Sequence, residues 1–73
     1  MNPVQGVRYE FLIGARISET VRAAFPELES GPSPGGGGTA LWGPVRDDTQ
    51  LAEFLARFAH LGLTVLEMRQ LPD

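Results

Sequence analysis

The 73-residue chain has no cysteine, no lysine, one histidine and one asparagine. Without thiols, neither disulfides nor thiolate-bound metal can supplement the core, which a chain of this length keeps small. His60, near the end of a helical segment, has no second histidine or cysteine with which to hold a metal. It reads as a solvated residue that suits the negative end of a helix dipole. No apolar run approaches the roughly 20 residues a membrane helix needs. The opening Met1-Asn2-Pro3-Val4-Gln5-Gly6 has no basic segment followed by an apolar run, so a soluble cytoplasmic protein is expected. A net charge of −3 gives no general attraction to phosphate backbones or anionic lipid, and neither nucleic acid nor membrane is an expected partner. That all six basic residues are arginine reads as coding bias rather than function.

What is present is a clear order of patterns. From Val7 to Ala15 the residues alternate, with Val7, Tyr9, Phe11 and Ile13 on one face and Arg8, Glu10 and Leu12 on the other, the signature of a half-buried strand. Gly14 ends the run. Ser18 is placed to cap a helix whose apolar positions Ile17, Val21, Ala24 and Phe25 fall at helical spacing, and Pro26 stops it. Glu27, Leu28 and Glu29 read as a short edge strand. Ser30 to Gly38 holds two prolines and five glycines in nine residues, which predicts a flexible hairpin loop over 30–38 within one domain spanning residues 1–73.

Thr39 to Val45 reads as the next strand, cut off by Pro44. Asp47 with Gln50 forms a capping box ahead of the stripe Leu51, Phe54, Leu55, Phe58 and Leu61, which predicts the longest helix. Gly62 suits the left-handed position after it, with Leu63 following. A last alternating strand runs from Leu63 to Leu71, with Leu66 and Met68 expected toward the helices and Val65, Glu67 and Arg69 away from them.

In sequence this is β-α-β-β-α-β. Its usual solution is a ferredoxin-like α+β sandwich: a four-stranded antiparallel sheet in the order 4-1-3-2 with two helices on one face. Over most of the chain the pattern resembles the ACT-type and other small ferredoxin-like regulatory domains. Its end, Leu61-Gly62-Leu63-Thr64-Val65-Leu66-Glu67-Met68-Arg69, resembles small uncharacterised proteins of high-GC bacteria. The segment Val4-Gln5-Gly6-Val7-Arg8-Tyr9 resembles the Val-Gln-Gly-Val-x-Phe-Arg loop of acylphosphatases, which implies main-chain amides holding a phosphate. In that family, however, the loop follows the first strand, whereas here it precedes it. Glu10 also stands where the phosphate-binding arginine belongs and would repel the substrate.

Other candidates for chemistry have simpler explanations. The Gly35 to Gly38 run lacks a Lys-Ser/Thr pair and leads into a strand, so a turn explains it better than a phosphate loop. Asp47 and Asp48 sit at a helix start, where capping explains them. No enzyme and no cofactor is expected. The surface expected to act is the sheet face opposite the helices, with Arg8, Leu12, Trp42, Val65 and Arg69 as partner-binding residues. The third strand can also be read with Trp42 inward and Leu41 outward. The expected partner is a second copy of the chain, as a homodimer, or a client protein. The ACT-type resemblance implies an alternative, a small ligand held near the first strand-helix turn by Gly14 and Ser18. RNA binding fits the topology, but a second aromatic and a basic surface are lacking.

Overall fold

The computed structural model describes residues 6–72. The elements are β1 (Val7–Ile13), α1 (Glu19–Ala23), β2 (Glu29–Pro32), β3 (Thr39–Val45), α2 (Asp48–His60) and β4 (Val65–Gln70). All strand pairs are antiparallel, and the sheet order is β2-β3-β1-β4, the expected 4-1-3-2 read from the other edge. The fold is an α+β arrangement of four strands and two helices.

The helix ends follow from local chemistry. Ser18 caps α1 by accepting from the Val21 N–H at 3.1 Å. Asp47 caps α2 by accepting from the Gln50 N–H at 2.9 Å, while the Gln50 side chain accepts from the Arg46 N–H, one residue before the cap. Gly62 closes α2 at φ +75°. There the Gly62 N–H donates to the Ala59 carbonyl at 3.0 Å and the Leu63 N–H to the Phe58 carbonyl at 2.9 Å, the two bonds of a Schellman motif.

The helices cover one sheet face only. Phe11 and Ile13 of β1, Leu41 and Val45 of β3, Phe25 and Leu28 beyond α1, and Phe54 and Phe58 of α2 form a single buried cluster. Its centre is aromatic: Phe58 lies 5.1 Å from Phe11 and 4.8 Å from Phe25 between ring centroids. Arg57 seals the helix junction. Its guanidinium carbon stands 5.2 Å from the Phe25 ring centre and 5.3 Å from that of Phe54. The same group donates to the Ala24 carbonyl at 2.9 Å and to both carboxylate oxygens of Glu27, at 3.0 and 3.4 Å. Thr39, the buried polar residue, donates to the Ala15 carbonyl and accepts from the Ile17 N–H, which anchors the turn between β1 and α1.

Three expectations need correction. The second strand is Glu29–Pro32 rather than residues 27–29, because Ser30, Gly31 and Pro32 pair with Leu41, Ala40 and Thr39. The flexible stretch is therefore shorter than 30–38, and Leu28 belongs to the core. Pro44 lies within β3 instead of ending it; β2 reaches only as far as Trp42, so no ladder bond from β2 is lost there. Finally, a bulge shifts the β1–β4 register between Leu12 and Ile13, so Val65 sits opposite Ile13 and packs against the core rather than on the open face.

The Arg57 guanidinium holds the Glu27 carboxyl below its ordinary value, against the opposing effect of partial burial. A depressed folded-state value contributes stability in full above the ordinary glutamate range, and this is lost as pH falls through the folded value. Glu27→Gln should therefore lower stability near pH 7 and flatten its decline into acid, as read by denaturant unfolding at neutral and acidic pH. Parallel curves for the variant and the native chain would remove the pair from that account.

Candidate partner-binding face

Strand register assigns the uncovered face residue by residue, since directly paired residues share a side. Across the sheet, Glu29, Trp42, Glu10 and Arg69 form one row, and Gly31, Ala40, Leu12 and Glu67 the next. Arg8 lies opposite Pro44 beside the first row. Trp42 is thus on the open face and Leu41 on the core side, where it is fully buried. This resolves the parity of the third strand.

Trp42 lies across β2. A Cβ placed on Gly31 would stand 3.1 Å from the ring at Cη2 and 3.4 Å at Cζ3. Glycine at this position therefore lets the indole lie down on the edge strand. Ala40, on the same face, is only 2% exposed, while Leu12 and Trp42 are each half-buried. The result is an apolar centre of Trp42, Ala40 and Leu12 with charges around it.

Those charges are only partly matched within the chain. Arg69 Nε donates to Glu10 Oε1 at 2.8 Å, and the Glu10 side chain retains just 14% of its exposure. Of Arg8, Glu10, Glu67 and Arg69, which all lie on this face, this is the pair that forms. Among the described residues Arg8, Glu29 and Glu67 have no ion pair, and Glu67 faces Leu12 across the strands. Such a pair contributes about 0.2–1 kcal/mol to stability, so the unmatched groups are available to another molecule at little cost to the fold.

Of the residues expected to bind a partner, Arg8, Leu12, Trp42 and Arg69 come together on this face and Val65 does not. Sequence reading placed Glu29 in the second strand but not among the partner-binding residues, and it missed Gly31 because the Gly-Pro stretch hid the rest of that strand. The turn expected to hold a ligand borders a hollow of about 280 Å³ lined by Ile13, Gly14, Ala15, Leu63, Thr64 and Leu66, among others. There the Gly14 N–H is already donated to the Thr64 carbonyl at 3.1 Å, and the Ser18 hydroxyl is occupied in capping. A second groove, of about 430 Å³, runs beside α2 past Ala24, Glu53, Arg57 and His60. Among the described residues no group of three or more His, Cys, Asp or Glu is placed to hold a metal ion, and no helix is long and apolar enough to cross a membrane. Of the acylphosphatase-like segment, Val4 and Gln5 lie outside the described residues. Glu10 sits within β1 on the open face, bonded to Arg69.

The family described as a domain of unknown function (DUF8691) matches residues 8–69, and the chain belongs to that family. The match runs from the first strand to the last and takes in the whole open face. No curated protein and no solved structure matches the chain.

The placement of Trp42 on Gly31 can be tested directly, since the chain has a single tryptophan. Gly31→Val should lift the indole from β2 and raise the acrylamide quenching constant of its fluorescence. Unchanged quenching would contradict that packing.

Proposed function

We propose that this DUF8691 member is a non-catalytic interaction module of the cytoplasm that holds a client protein on its open sheet face. One observation carries the reading: Trp42, half-buried, lies beside Ala40 and Leu12 on a sheet face that neither helix covers. In a small soluble protein an apolar centre ringed by unmatched charges is the usual composition of a partner surface. The chemistry of the face specifies the client. It brings an apolar side chain to the Trp42–Leu12 patch, an acid to Arg8, and a base to Glu29. Binding energy concentrates on Trp42, because a large ring with few rotatable bonds buries much area at low entropic cost.

The ACT-like alternative finds less support. A carboxylate ligand at the first strand-helix turn needs free main-chain donors, and the Gly14 N–H is committed to Thr64. Catalysis finds none, since the face offers carboxylates and arginines without a nucleophile, a histidine or an enclosed site.

A photo-crosslinking residue at Leu12 in the producing cell should give one discrete adduct, whereas the same residue at Ala23, on the exposed side of α1, should give none. The Leu12 adduct should disappear on Trp42→Ser while the thermal midpoint moves little, because the indole is only half-buried. Equal adducts from both positions, or an adduct indifferent to Trp42, would refute the assignment.

A further inference from the structure

The two edges of the sheet are built differently. β2 is four residues long and ends in Pro32, which has no N–H to offer, so that edge is blunted. β4 is six residues, Val-Leu-Glu-Met-Arg-Gln, with neither proline nor lysine. It carries two of the exposed large apolar side chains, Leu66 at 69% and Met68 at 40%. Among the described residues no strand pairs with its outer main chain. The Leu71 N–H donates to the Arg8 carbonyl at 2.7 Å, so by strand alternation Arg69 and Glu67 direct their main-chain groups at β1. Met68 and Gln70 direct theirs away from the sheet.

We infer that β4 is a homodimer edge, pairing antiparallel with β4 of a second copy about a two-fold axis at Met68. The charges select this register. Keeping the open faces on one side requires even shifts. Centring the pair on Glu67 opposes glutamate to glutamate, and centring it on Arg69 opposes arginine to arginine. Centring on Met68 sets each Glu67 against Arg69 of the second copy, twice over, and sets Met68 against Met68 on the helix side. It also places at the centre a residue whose main-chain groups point outward, as a hydrogen-bonded pair requires. Arg69 uses Nε for Glu10 and keeps its terminal nitrogens for Glu67 of the second copy. The dimer would be one eight-stranded sheet with both Trp42 faces on the same side. This inference does not depend on the client-binding reading: it rests on the outer main chain of β4, and of the open face it uses only the Glu67 and Arg69 side chains.

A charge swap on the full chain tests the edge and its register together. The native chain should scatter light as twice one chain's mass at micromolar concentration. Glu67→Arg alone and Arg69→Glu alone should each give the single-chain mass, the first opposing arginines and the second opposing glutamates. Mixed one to one, they should recover the doubled mass, because every cross-strand pair is then of opposite sign. Amide exchange of the native chain supplies a second readout should Arg69→Glu fail to fold: the Met68 and Gln70 amides should slow as concentration rises, while Leu71 stays protected throughout. A native chain that remains single, a dimer that survives both substitutions, a folded mixture that stays single, or Met68 and Gln70 exchange independent of concentration would each overturn the inference.

Discussion

The packing of four phenylalanines into one layer is the constraint on which the rest depends. Phe11 from the sheet meets Phe54 and Phe58 of α2, which in turn meet Phe25 beyond α1, and all four are at most 1% exposed. With no cysteine to form a disulfide, this cluster and its aliphatic border carry the fold. Arg57 matters for the same reason. Its stem and guanidinium close the aromatic layer where α1, too short to do so itself, runs out at Ala23.

A core of this kind has a consequence on its reverse side. Two helices of five and thirteen residues cover one face of the sheet, and no other element of the described residues covers the second. The open face must therefore be stable in water by its own side chains. Its central acid, Glu10, is largely enclosed and is matched by Arg69, while Trp42 folds down on Gly31 and shields β2 and Ala40. These arrangements shelter the apolar centre only in part, and among the described residues they leave Arg8, Glu29 and Glu67 without an ion pair. Arg69 links the two proposed surfaces, because its guanidinium lies between Glu10 on the face and the free edge of β4.

Much of this was legible in the residues. Alternation from Val7 to Ile13 fixed the first strand and its faces, and the capping residues Ser18, Asp47 and Gln50 marked the helix starts because their chemistry is local. Gly62 marked the end of α2 for the same reason. What depends on pairing was less visible. The Gly-Pro composition of residues 30–38 concealed three of the four residues of β2, since an edge strand can tolerate Pro32 and needs Gly31 beneath Trp42. The face of Val65 could not be read by counting in twos, because the bulge inserts a residue that changes the parity. Arg57 went unnoticed because its role comes from residues distant in sequence, Phe25 and Glu27, which a helical stripe does not reveal.

The central claim is that the chain uses its β4 edge for itself and keeps the Trp42 face free for a client. Solution NMR on an equal mixture of isotope-labelled and unlabelled native chain reads both parts at once. The account predicts intermolecular contacts from Met68 to Met68 and between the main chains of Glu67 and Arg69, with none from the Trp42 indole or the Leu12 methyls. Intermolecular contacts from Trp42 and Leu12, with none from β4, would contradict it.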